Sequence, residues 1–309
     1  MKITIVGAGA MGSLFGGLLA ESGNEVLLID IWQEHVDAIN NKGLWIEGLS
    51  GDRFIKIKAA TKASKTCGSS DLLIVFVKSY HTETAAKNIS SLVGENTAIL
   101  TLQNGLGNFE ILSDILGYQK VVAGTTSYGA TILGPGRVRH AGVGPTAIGE
   151  LDGKITPRLK EIAQLFNEAG IKTETTNNVI GLIWSKLLIN VGINALGAIL
   201  QVKNGALIRG EHTLKLQRVL LEEALEVARK KKIELTHQNM IEEVTQICEK
   251  TRDNLNSMLQ DVLKKRKTEI DFINGAIVRE GEKLNLSTPA NQIITELIKA
   301  LEESYDKQI

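Results

Sequence analysis

A short apolar run, Lys2–Val6, leads directly into Gly7-Ala8-Gly9-Ala10-Met11-Gly12, and that loop opens a helical pattern over residues 10–22 that closes at Gly23. No other feature of the chain admits so few folds. The first glycine permits a tight strand-to-helix turn, the second lets a pyrophosphate approach the backbone, and the third lets the helix pack close to the strand. The helix start then offers free N–H groups and a positive dipole end to phosphates. A second strand, Glu25–Ile29, ends at Asp30. An acid at that place can accept hydrogen bonds from the ribose hydroxyls of a dinucleotide, whereas a 2′-phosphate would meet like charge. Asp30 could also simply cap the helix that follows.

From Lys2 to about Thr175, short β-branched runs alternate with amphipathic stretches, the pattern of βαβ units on a parallel sheet. Further strands are expected at residues 72–77, 98–102 and 121–125, each apolar enough to be buried on both faces. Residues 43–58 read as a β-hairpin excursion and the glycine-rich 129–149 as more hairpins. After residues 173–178 the texture becomes helical, with periodicities over 180–200, 214–231 and 241–263. The chain length suits two domains. The expected fold is α/β: an N-terminal Rossmann-type doubly wound domain, residues 1–176, followed by an all-α C-terminal domain, residues 177–309.

Acidic and basic side chains balance at 35 each, so no net field draws in nucleic acid or an anionic membrane. Cys67 and Cys248 stand far apart without CxxC or histidine spacing, which argues against a disulfide framework or a zinc site and for a reducing compartment. The apolar start is interrupted by Gly7 and Gly9 and followed by Glu21, unlike a signal peptide, and no uninterrupted apolar run reaches the roughly 18 residues of a membrane span. The expectation is a soluble, cytoplasmic protein whose partners are small molecules and a second copy of itself in a homodimer, with no metal, membrane or nucleic acid. Lys264-Lys265-Arg266-Lys267 reads as a solvated helix end.

In an open parallel sheet, ligands bind beyond the carboxyl ends of the strands, where Lys78 and Asn104 both fall. Asn104 before Gly105 is equally a natural turn residue. On the helix over 182–200, Lys186, Asn190 and Asn194 recur at i, i+4 and i+8 among almost wholly apolar neighbours. Such a helix is buried, so its polar side chains need partners. A solvent-facing stripe would explain them, but a polar cleft against the first domain would leave Lys186 partly desolvated, with a lowered pKa useful for proton transfer. Thr268 and Asp271 form a T-x-x-D capping box, with Glu269 a first-turn carboxylate favoured by the helix dipole.

Taken together, several motifs resemble those of ketopantoate reductases (2-dehydropantoate 2-reductases). They are Gly7 to Gly12, Asn104-Gly105-Leu106-Gly107, Trp184-Ser185-Lys186-Leu187 with Asn190 and Asn194, Ser257-Met258-Leu259-Gln260-Asp261, and Thr268-Glu269-Ile270-Asp271-Phe272-Ile273-Asn274-Gly275. The resemblance spans nearly the whole chain in order. It implies an NAD(P)H-dependent oxidoreductase that reduces 2-dehydropantoate, a small 2-oxo acid, to (R)-pantoate on the route to pantothenate and coenzyme A. It further implies Lys186 as proton donor and Glu269 as the residue that orients it. Asn190, Asn194, Asn204, Ser257, Met258, Leu259 and Gln260 would contact substrate together with Lys186. Gly7, Ala8, Gly9, Ala10, Met11, Gly12, Asp30, Lys78, Asn104, Ala130 and Glu269 would line the cofactor side. Family members that use NADPH usually carry a basic residue after the second strand, where this chain has Asp30-Ile31-Trp32. That departure leans the expected cofactor from NADP(H) toward NAD(H). Two alternatives stay open from sequence: a related branched 2-hydroxy-acid dehydrogenase, and a non-catalytic NAD(P)-sensing protein.

Overall fold

Strand alternation explains why the sequence runs of the first half are apolar throughout rather than every second residue. In β6 (Ser70–Val75), Leu72 and Ile74 pack into one core while Leu73 and Val75 pack into another on the opposite face of the same sheet. The computed structural model describes residues 1–63 and 68–307, so Cys67 lies outside the described residues. It divides into two units, residues 1–103 with 108–179 and residues 104–107 with 180–309.

The first unit contains, in order, β1 (Lys2–Val6), α1 (Ala10–Glu21), β2 (Glu25–Ile29), α2 (Gln33–Lys42), β3 (Leu44–Gly48), β4 (Arg53–Ile55), β5 (Lys58–Ala60) and β6. It continues with α3 (Thr82–Ile89), β7 (Val93–Thr101), α4 (Asn108–Leu116), β8 (Val121–Thr126), β9 (Gly129–Gly134), β10 (Arg137–Gly142), β11 (Thr146–Glu150), α5 (Pro157–Glu168) and β12 (Thr173–Thr175). Eight strands form one sheet in the order β12-β11-β8-β7-β6-β1-β2-β5. It is parallel except where β11 runs antiparallel to β8. β1 lies between β2 and β6, with Ile3 opposite both Val26 and Leu72. Helices α1, α2 and α5 bury their apolar sides in one core, α3 and α4 in the other. The chain therefore passes to opposite faces on either side of β1, the doubly wound arrangement.

The two hairpin excursions join each other. β3 pairs antiparallel with β4, β9 antiparallel with β10, and β3 parallel with β10, giving a four-stranded sheet in the order β4-β3-β10-β9. Their continuations, β5 and β11, return to the main sheet.

The second unit is helical: α6 (Val179–Leu200, its first residue assigned to the first unit), α7 (Glu211–Lys230), α8 (Met240–Lys250), α9 (Ser257–Leu263), α10 (Asn274–Lys283) and α11 (Pro289–Glu303). The single helix expected over 241–263 is two. The chain turns after Lys250, with Asn254 N–H bonding the Thr251 carbonyl at 2.8 Å, and restarts where Asn256 caps α9 by accepting Leu259 N–H at 2.9 Å. An Asn side chain that takes a backbone N–H in this way sets a new helix start where hydrophobic spacing alone would continue the old helix. Among the described residues one helix, α6, is long and apolar enough to cross a membrane, yet most of it is buried inside the protein as a core helix would be. Cys248 is buried in α8, and burial pushes its thiol up to about 11.

Candidate active site

Each glycine of the first loop has its own steric reason. Gly7 adopts φ +93°, and a Cβ there would lie 2.6 Å from the Val77 amide nitrogen. A Cβ on Gly12 would strike the carbonyl oxygen of Gly7, so the start of α1 can lie this close to the strand end only without a side chain. Around Gly9 a Cβ would meet nothing within 4 Å. The protein itself does not use that space, which is where a dinucleotide pyrophosphate would approach the backbone. Gly7 and Ala8 donate their N–H groups to the Ile29 carbonyl at 2.8 and 3.2 Å, and the α1 ladder begins with Ser13 N–H on Gly9 O at 2.9 Å. The N–H groups of the first turn point out of the helix start with no carboxylate in that turn to compete for an anion. These residues fit a dinucleotide.

Asp30, at the end of β2, accepts Trp32 N–H on Oδ1 at 3.0 Å. α2 begins at Gln33 with Trp32 in the cap position, so Asp30 shapes the turn ahead of the helix instead of capping it. Lys78 is half-buried and follows β6 by three residues, a longer step than expected because β6 ends at Val75 rather than Val77. Its carbonyl accepts His81 N–H at 2.7 Å in a short turn. Ala130 sits on β9 opposite His140 and packs against the larger core of the first unit.

In the second unit α6 carries Lys186, Asn190 and Asn194 as the spacing requires. Burial pushes the Lys186 ammonium down to about 8, and the negative charge of Glu269 opposes that shift. Glu269 is itself buried, at the residue preceding the single turn Ile270–Phe272. Asn194 and Asn204 are buried as well. Nδ2 of Asn190 and Oδ1 of Asn204 are buried without a hydrogen-bond partner in the protein, although the other end of the Asn204 amide donates to Thr251 Oγ1 at 2.9 Å. Buried amides left half satisfied are suited to a polar ligand. Ser257 is exposed at the start of α9, while Met258 and Leu259 are buried in the unit's interior. Gln260 turns its amide back to the Leu255 carbonyl at 2.9 Å. Asn104 lies in the segment 104–107 that clusters with this unit, where Leu106 N–H bonds the Phe272 carbonyl at 2.9 Å.

The expected capping box at Thr268 does not form. Thr268 Oγ1 accepts the Ile270 N–H at 3.2 Å, two residues on, and Asp271 turns to Lys299, 3.4 Å away. The segment is a single tight turn too short to hold a box, and that leaves Glu269 outside any first-turn role. Sequence reading passed over Asn256, which caps α9 and keeps a buried, unpartnered Nδ2 against α6 at Gly197, where a Cβ would collide with it. An Asn directly before an apolar helical run is the signal that would have found it. Among the described residues no cluster of three or more His, Cys, Asp or Glu could hold a metal.

Residues 3–153 match the family model described as ketopantoate reductase PanE/ApbA, and residues 178–302 match that of its C-terminal domain. A 2-dehydropantoate 2-reductase of Pyrococcus horikoshii is 41% identical over 302 residues, covering 98% of each chain. That of Aquifex aeolicus is 37% identical over 98% of this chain and 97% of its own. Among solved structures, D-mandelate dehydrogenase with NADH and anilino(oxo)acetate is 35% identical with a TM-score of 0.92, covering 99% of both chains. A ketopantoate reductase from Ralstonia eutropha is also 35% identical, with a TM-score of 0.91 over 98% of this chain and 99% of that one.

Proposed function

The chain belongs to the ketopantoate reductase family, and from that premise we propose that it reduces 2-dehydropantoate to (R)-pantoate, toward pantothenate and coenzyme A, at the expense of a reduced nicotinamide dinucleotide. Residues 1–176 serve as the dinucleotide domain and 177–309 as the substrate domain. The observation that carries the reading is the pair of Lys186, pushed down to about 8, and Glu269, which pulls it back up. A lysine so placed is largely protonated near neutral pH yet gives up its proton readily, as a general acid must.

When bound, the reduced nicotinamide supplies a hydride to the C2 carbonyl carbon of the 2-oxo acid. The chain's own residues supply the rest. The Lys186 ammonium stabilises the negative charge that develops on the carbonyl oxygen and then donates its proton there. Glu269 orients Lys186 and favours its charged form. The amides of Asn190, Asn194 and Asn204 and the Ser257 hydroxyl bind the acid's carboxylate and hydroxyl groups. With Met258 and Leu259 buried and the Gln260 amide engaged by the Leu255 carbonyl, substrate contact from that segment runs chiefly through Ser257 and the main chain. Gly7 to Gly12 seat the pyrophosphate, with Lys78, Asn104 and Ala130 along the cofactor.

Asp30 leans the choice toward NADH, in keeping with the NADH named in the D-mandelate dehydrogenase structure. We place the protein in the cytoplasm as a homodimer. The test is purified protein with ketopantoate, other branched 2-oxo acids and either reduced dinucleotide, followed at the nicotinamide absorbance. Oxidation with ketopantoate as the best acid is expected. Turnover confined to a different 2-oxo acid overturns the assignment of substrate, and no turnover with any of them overturns that of an enzyme.

A further inference from the structure

His35 and Ser13 are both fully buried in the first unit, and neither belongs to the glycine motif's own fingerprint. Ser13 Oγ donates to the Ala8 carbonyl at 2.7 Å, inside the loop, and lies 3.1 Å from His35 Nε2. On the far side of the ring, Gly136 N–H donates to His35 Nδ1 at 3.0 Å. A backbone N–H can only donate, so Nδ1 must accept and the ring proton must sit on Nε2. Every direction in the chain of bonds follows: Gly136 N–H to Nδ1, Nε2–H to Ser13 Oγ, Ser13 O–H to Ala8 O. Gly136 comes this close because it lacks a side chain, since a Cβ there would be 2.9 Å from that of Ala38. Trp32 stacks on the His35 ring at 5.2 Å and 9°, and the Trp32 N–H is held by Asp30.

We propose that this buried relay fixes the Gly7 to Gly12 loop in the shape that accepts the cofactor's phosphates, so that Ser13 and His35 are positioning residues for dinucleotide binding. It rests on the reading of the first unit as the dinucleotide domain. Gly7 and Ala8 N–H both rest on the Ile29 carbonyl, and the relay on the Ala8 carbonyl anchors the next peptide, Ala8–Gly9. Because the stretch from Asp30 to His35 touches the relay at one end and carries the ribose-side acid at the other, the two ends of the dinucleotide site are set by one short segment. Burial also holds the imidazole below its ordinary pKa against the pull of Asp30, in keeping with the neutral ring the relay requires.

The experiment titrates wild type, Ser13→Ala, His35→Gln and His35→Leu with reduced dinucleotide and with ketopantoate, and follows with kinetics. Ser13→Ala is expected to weaken the dinucleotide by about tenfold, the size of one buried hydrogen bond, and to raise its KM alike. The KM for ketopantoate and kcat at saturating cofactor are expected to move little. His35→Gln, whose amide can accept from Gly136 and donate to Ser13, is expected to lose some cofactor affinity but less than Ser13→Ala, and affinity identical to wild type in His35→Gln together with His35→Leu overturns the part assigned to His35. Unchanged cofactor affinity in Ser13→Ala, or equal losses in cofactor, substrate and kcat, overturns the relay alone. Wild-type protein that binds neither dinucleotide overturns the cofactor reading and the relay with it.

Discussion

Lys186 shows how far one ionisable side chain can be shifted by its surroundings. Removing the ammonium in Lys186→Ala is expected to lower kcat by a factor on the order of 10² or more, the usual range for a general acid, measured with ketopantoate at saturating cofactor. The pH profile carries a second expectation. Desolvation disfavours the charged form, so the acid is present below about 8 and reduction falls as pH rises through that value. Glu269→Gln removes the charge that raises this pKa, and the descending limb should move to lower pH; a limb that stays in place would show that Glu269 does not act on Lys186. At the opposite end of the chemistry, Asp30→Ala should shift the ratio of kcat/KM for NADH over NADPH toward NADPH by roughly tenfold or more, because repulsion of a 2′-phosphate is relieved. A wild type strongly selective for NADPH and indifferent to this change would place the carboxylate away from the ribose. The lysine was legible from sequence because a charge on an apolar helix is conspicuous. His35 was not, since its partners at Ser13 and Gly136 are distant in the chain and no spacing rule connects them.

Elements depend on single positions whose backbone geometry leaves no choice. Gly105 has φ +84°, and a Cβ there would lie 2.5 Å from the carbonyl oxygen of Phe272, the same oxygen that accepts Leu106 N–H. Gly105→Ala therefore combines strain with a backbone collision, and a loss of about 1–3 kcal/mol in urea unfolding is expected. A variant as stable as wild type would mean that the segment is not held as described. The strands of the first unit were readable because burial on both faces writes itself as unbroken apolar runs, and β1 and β2 begin and end where the sequence puts them. The break between α8 and α9 was hidden because the apolar spacing continues across it. What separates the two helices is local, a backbone turn from Thr251 to Asn254 and the Asn256 side chain that takes Leu259 N–H to start α9, and hydrophobic periodicity does not register either. Likewise the pairing of β3 with β10 joins segments about ninety residues apart, and nothing local in either hairpin announces its partner.

For the whole molecule, ligand binding should register as stability. A dinucleotide present at about 100 times its dissociation constant adds roughly 2.7 kcal/mol to the folded state by mass action, so a thermal scan with NADH should show a higher Tm than one without. Hydrogen exchange should then slow first around Gly7 to Gly12 and Asp30. Apolar side chains stand exposed on α7 at Leu216 and Val219 and on α11 at Ile293 and Leu297. Light scattering is expected to return twice the chain mass; a monomer at micromolar concentration would remove the homodimer. The order of motifs along the chain foretold two halves, but not that residues 104–107, from the loop after β7, group with the helical unit. For heredity and engineering alike this is a constraint on recombination. A crossover near residue 177 that swapped the helical half for that of a relative would leave Gly105 and Leu106 behind, facing a foreign residue where Phe272 had stood. Chimeras are therefore expected to work only when that loop and the residues around Phe272 are inherited from the same parent.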